Sequence, residues 1–193
     1  MRVRPFPLEV VGSGSAPRDI LEQEWWLAAI QEPAAEFARY ESDDWPTTTL
    51  PAFEAAWCAF GQGEDVGHDY DLRVRRAFFA EGRNIGRREV LLEIAEEAGL
   101  DTQPFRAAFE SGEVRAAVSA EARMGRGRYR VRGTPTTMLS DGQKLKHPIA
   151  FPKLRERRVV GVGELPCWDE DCLQKTRGLL EQALLHGGSG END

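Results

Sequence analysis

Cysteine is scarce in this 193-residue chain: Cys58, Cys167 and Cys172 are its complement, and no two of them stand in a Cys-x-x-Cys spacing. Three thiols exclude a disulfide-built scaffold and leave at least one sulfur unpaired, which fits a reducing compartment. Long apolar runs are missing as well. Stretches such as 25–30 fall far short of the roughly 20 residues needed to cross a bilayer, so the chain reads as soluble, with no membrane partner. Positive charge is not in excess. The 25 basic residues face 32 acidic ones, and a net charge of −7 removes the pull toward phosphate backbones that would make nucleic acid a partner. The opening Met1-Arg2-Val3-Arg4-Pro5 lacks the apolar core and small-residue cleavage site of a secretory signal, so a cytoplasmic location is expected.

Several chemistries are absent too. There is no Ser-His-Asp spacing, no glycine-rich phosphate loop and no metal motif, and Gly125-Arg126-Gly127 lacks the preceding strand that a dinucleotide fingerprint requires. No metal and no resident cofactor are expected. His68 and His147 read as surface or loop histidines, and Cys58, between Trp57 and Ala59, as a small buried filler.

What is present is enough for one sizeable core: 41% of residues are hydrophobic and 30% charged. Val3 to Leu8 reads as a short strand limited by Pro5 and Pro7, and 12–17 as a flexible connector. From Ile20 to Tyr40 the helical spacing of Leu21, Trp25 and Phe37 is interrupted by Pro33, which predicts loop plus short helices. Helices are expected over Leu50–Gln62, Asp69–Glu81 and about Gly86–Ala98, the last stopped by Gly99. Asp101 is placed to cap a helix ending near Glu110, and Ser111 to cap one carrying Val114, Ala117, Val118 and Ala122. Trp25, Trp26, Trp45 and Trp57 should pack this helical block. Beyond it the period changes to two. Residues 136–140 and 143–146 flank Asp141-Gly142 as a hairpin would, and Asp169 opens a last helix with Leu173, Thr176, Leu180 and Leu184 inward, followed by a polar, disordered tail from Gly187.

Three stretches carry a family resemblance. In Arg132-Gly133-Thr134-Pro135-Thr136-Thr137-Met138 a proline immediately precedes a strand that enters the Asp-Gly hairpin, as in the second half of a thioredoxin fold. The run from Phe78 to Ile85, with Glu89 to Asp101 after it, resembles the helical insertion of DsbA-like proteins, and Arg4-Pro5-Phe6-Pro7-Leu8 is similar to the FrnE-like and chromene-carboxylate isomerase branch. The resemblance implies an α/β thioredoxin-like fold divided into a strand and linker (1–16), an all-helical insertion (17–126), a C-terminal thioredoxin-like half (127–186) and a tail (187–193). It implies a cis Thr134–Pro135 bond, and a groove at Thr134 and Pro135 that takes an extended thiol or disulfide peptide, or glutathione as co-substrate. The family role is thiol-disulfide exchange or isomerisation.

One departure is marked. The family opens with a strand and a Cys-x-x-Cys helix ahead of the segment matching Val3 to Leu8, and neither is found in these residues. The expectation is that the first strand and active-site helix are missing, either because the start is assigned downstream or because the redox half was lost. The chain as written should then have no catalytic residue for dithiol chemistry, and its unpaired sheet edges should favour self-association. Cys167 and Cys172 could form a redox or structural pair, contribute half a zinc site, or be plain surface thiols. Other readings are a non-catalytic peptide- or glutathione-binding module, and a glutathione-dependent isomerase if a longer start supplied a serine.

Overall fold

The computed structural model describes residues 3–12, 14, 17–32, 34–139, 141–145, 150–164 and 170–187, with several side chains of the last segment undescribed. It divides into two compact units, 2–130 and 131–193. Among the described residues no helix is long and apolar enough to cross a membrane.

The first unit is helical: α1 (Arg18–Gln31), α2 (Leu50–Phe60), α3 (Glu64–Phe79), α4 (Arg88–Glu97), α5 (Thr102–Glu110) and α6 (Glu113–Gly127). Helix α2 is the hub and packs against α3, α4, α5 and α6. The end of α4 follows the reading of Gly99. This residue has φ +70°, and the amides of Gly99 and Leu100 turn back to the carbonyls of Glu96 and Ala95 at 3.0 Å each, a Schellman closure. Asp101 then caps α5 by accepting the Gln103 N–H at 3.3 Å.

Four expectations for this unit need correction. Val3 to Pro7 is not a strand; without N–H donors at Pro5 and Pro7 it runs as irregular chain and turns at Leu8. The 20–40 region holds one 14-residue helix, because Pro33 falls beyond its end at Gln31 rather than inside it. Helix α3 begins five residues before Asp69, running through Gly67, where a Cβ would stand 2.2 Å from Phe60 Cδ1; the glycine allows a close helix-helix approach. Gly112, not Ser111, occupies the N-cap of α6, although the Ser111 hydroxyl still accepts the Glu113 N–H at 3.2 Å.

Aromatic side chains tie α1 and the 37–45 segment to α3. Trp25 lies 6.0 Å from Trp45 and 5.5 Å from Phe78, and Tyr40 sits 4.8 Å from Trp45. Arg18 locks the start of α1 to the same cluster, donating to the carbonyls of Tyr40 at 2.7 Å and Ser42 at 3.0 Å. Trp57 is half-buried, but Trp26 is 55% exposed and packs no core.

The segment 3–12 is fastened to this unit at three points. Arg4 pairs with Glu121, Phe6 is buried with its ring where a Cβ on Gly125 would lie 3.0 Å away, and Glu9 reaches the N-terminus of α2. The Glu9 carboxylate accepts the Thr49 N–H at 2.6 Å, the Thr49 hydroxyl at 2.8 Å and the Thr48 hydroxyl. It does the work of an N-cap from 40 residues away, where Thr49 makes no side-chain cap of its own.

The second unit contains the two-stranded antiparallel sheet β1 (Pro152–Arg155) and β2 (Arg158–Val162), and α7 (Glu170–Gly187). Of the expected hairpin at 136–146, in which residues 140 and 146 lie outside the described residues, the described residues show one bridge, Met138 to Lys144, with Leu139 N–H on the Gln143 carbonyl at 2.8 Å and Leu145 N–H on that of Thr137 at 2.9 Å. Gly142, at φ +86°, makes its turn. In α7 Leu180 is 36% exposed rather than inward. Asp169, His147 and the tail after Gly187 lie outside the described residues.

Replacing Glu9 by Ala should cost about 1 kcal/mol of stability, the usual worth of a helix cap, and urea unfolding measures it. An unchanged midpoint would show that Glu9 does not cap α2.

Candidate functional site

The site indicated by the sequence lies where the second unit begins. The Thr134–Pro135 bond is cis, and both residues are exposed. The Thr136 hydroxyl donates to the Gly133 carbonyl at 2.6 Å, closing a bend over 133–136. Neither Thr134 nor Pro135 has a hydrogen bond to another described residue. Backbone left open beside a bend is what an extended ligand needs in order to pair along it.

The thiols contribute differently. Cys58 is 7% exposed in the middle of α2, and burial, together with the Glu54 carboxylate one turn away, pushes its thiol up to about 11. Roughly one molecule in a thousand would carry the thiolate at pH 8, and it is the thiolate that attacks a disulfide. The reading of Cys58 as an inert core residue therefore has a physical basis. Cys167 lies outside the described residues, and of Cys172 only its place in α7 is described.

Other candidates are spoken for. His68 lies on α3, 3.7 Å from Glu64 and edge-on to Phe60 at 5.2 Å. A shallow depression of about 250 Å³ is bordered by Arg83 and Glu97, but that arginine is already matched to Glu93 and Glu97 at 3.1 Å each. Among the described residues no group of three or more His, Cys, Asp or Glu side chains could hold a metal. Sequence reasoning missed one buried charged group, Glu54, which is 2% exposed and takes Arg115 Nε at 2.6 Å and Arg88 Nη1 at 3.5 Å. Only its position on the inward face of an otherwise apolar helix could have signalled it.

Comparison with known proteins now places the chain. The DSBA-like thioredoxin domain matches residues 44–157, more than half of the sequence, and the chain belongs to that family. It has the DSBA-like thioredoxin fold, mostly helical with a small two-stranded sheet. It is similar to the uncharacterized protein YwbO of Bacillus subtilis, 33% identical over 111 residues, which are 56% of this chain and 54% of that one. The chain thus spans about half the length of the curated relative it matches. Among solved structures it resembles the cytosolic disulfide reductase DsbM from Pseudomonas aeruginosa, with 25% identity and a TM-score of 0.53, covering 80% of this chain and 72% of that one. The form of DsbM with GSH aligns at 26% identity over 71% of this chain and 59% of its own, with a TM-score of 0.44.

The raised Cys58 thiol gives a signed pH dependence. The folded thiol keeps its proton to about pH 11, whereas an ordinary thiol releases it near 9, so its contribution is whole below pH 9 and is lost between 9 and 11. Cys58→Ala should flatten the fall in stability across that window in denaturant titrations at stepped pH. An equally steep fall in the variant would show that the thiol is not held protonated.

Proposed function

We propose that this chain works in thiol-disulfide exchange, presenting the Thr134–Pro135 backbone to an extended thiol or disulfide peptide, or to glutathione as co-substrate. The observation that carries the reading is the exposed backbone of these two residues, which pairs with no other described residue and lies within the 44–157 stretch that matches the family. The disulfide reductase named among its structural relatives supports the reaction class, and its being called cytosolic supports a cytoplasmic setting.

Exchange begins when a thiolate attacks one sulfur of a disulfide, forming a mixed disulfide and expelling the other sulfur as thiolate. No Cys-x-x-Cys pair is available in residues 1–193 to do this, and Cys58 is buried and protonated. Our reading is that these residues bind and orient the ligand without turning it over. The purified 193-residue protein should accordingly leave insulin oxidised in a turbidity assay with dithiothreitol at the uncatalysed rate. Turnover at the rate of an ordinary thioredoxin, abolished by Cys167→Ser or Cys172→Ser, would overturn this and make that pair the redox centre.

Self-association through a sheet edge belongs to the same reading. Leu154, Val160 and Val162 are exposed on β1 and β2, while Lys153, Arg155 and Arg158 on the same strands repel their own copies. Sedimentation should therefore show the mean mass rising between about 0.05 M and 0.5 M salt as these charges are screened. A mass that stays monomeric throughout would remove the proposal.

A further inference from the structure

The arginines of the helical unit are for the most part neutralised. Arg18 pairs with Glu22 at 3.0 Å, Arg73 with Asp69 at 2.7 Å, Arg87 with Asp44 at 2.6 Å and Arg115 with Glu54 at 2.6 Å. After Glu121 the sequence changes character. From Ala122 to Ser140 there are five arginines, at 123, 126, 128, 130 and 132, and not one Asp or Glu, in a chain where acidic residues outnumber basic ones. The next acid, Asp141, already accepts the Gln143 N–H at 2.9 Å within its turn.

Arg132 is the member of this run that belongs to the same unit as Thr134 and Pro135. Its side chain is exposed and makes no ion pair or hydrogen bond with another described residue. It stands two residues before Thr134, which keeps the two Cα atoms within about 7 Å. Arg132 immediately precedes the bend over 133–136, and its long side chain spans that distance, so a carboxylate within two residues of the ligand atom held at Thr134 comes within its reach. The guanidinium offers a planar fork that matches a carboxylate with two parallel hydrogen bonds.

We propose that Arg132 is a specificity-determining residue of the Thr134–Pro135 groove, selecting thiol ligands that carry a carboxylate within two residues of the sulfur. The inference rests on the thiol-disulfide reading above and adds the chemical class of the ligand. Glutathione and acidic cysteine peptides share this chemistry; the peptide is the ligand tested, because its carboxylates can be exchanged for amides without altering its shape.

The test is an NMR titration of the 193-residue protein with two blocked pentapeptides, Ala-Glu-Cys-Glu-Ala and Ala-Gln-Cys-Gln-Ala, with the cysteine S-methylated to exclude covalent capture. The amides of Thr134 and Thr136 are the reporters. The Glu peptide should bind roughly three- to fivefold more tightly at low salt, the range open to an exposed ion pair, and the advantage should shrink as salt is raised. Arg132→Gln should abolish that preference while leaving the affinity for the Gln peptide unchanged. Arg155→Gln, which removes the same charge from β1, should preserve it and so separate local recognition from net charge. Equal affinity of the wild-type protein for the two peptides, or a preference that survives Arg132→Gln, would overturn the assignment while leaving the groove intact. Failure of both peptides to move the reporters would instead overturn the groove reading, and this inference with it.

Discussion

The carboxylate of Glu54 fastens the helical unit together. It lies on α2, 2% exposed, and is met by Arg115 from α6 at 2.6 Å and Arg88 from α4 at 3.5 Å. Arg88 extends the connection to α5, because its guanidinium donates to the Phe109 carbonyl and lies 3.8 Å from the centroid of the Phe109 ring. A buried charge is expensive unless partnered, and removing one partner of such a pair leaves the other uncompensated. Four helices are therefore held in one mutual arrangement by a single requirement. The apolar core around it, including Ala55, Leu91, Ile94, Phe105 and Phe109, supplies the stabilisation without that directional constraint.

Much of the helical unit is legible in the sequence because its punctuation is local. Gly99 stops α4 and Asp101 starts α5 by bonds to residues within a turn, so residue type and position suffice to read them. What is hidden depends on distance or on an unusual residue. The first turns of α3, ahead of Asp69, depend on Gly67 leaving room for the Phe60 ring, and the cap of α2 comes from Glu9, far back in the chain. The hairpin of β1 and β2 is hidden for another reason. Its turn residues, Glu156 and Arg157, take φ +51° and +64°, a conformation that glycine or asparagine normally announces. The Asp141-Gly142 turn does announce itself, and among the described residues the pairing around it is one bridge.

The candidate site shows the same division. A ligand groove at Thr134 and Pro135 is what their place in the motif implies, and the structure leaves both residues exposed. The nucleophile does not follow from the fold. Likeness to a disulfide reductase brings the architecture, whereas exchange needs a thiolate at a specific place. Cys58 has the atom without the ionisation, since burial that suits a core residue disfavours the charged form that chemistry requires. The proposed function accordingly keeps two parts of one activity apart: a backbone surface for holding a ligand, and the sulfur chemistry that would act on it.

Native-state hydrogen exchange of the ligand-free 193-residue protein tests the open backbone most directly. The amides of Leu139 and Leu145, bonded to the carbonyls of Gln143 and Thr137 at 2.8 and 2.9 Å, should be protected, while that of Thr134 should exchange at nearly the rate of an unstructured peptide. A Thr134 amide as slow as that of Leu139 would mean that the position is already paired within the protein. The groove would then be closed, and the account of ligand binding at Thr134 and Pro135 would be wrong.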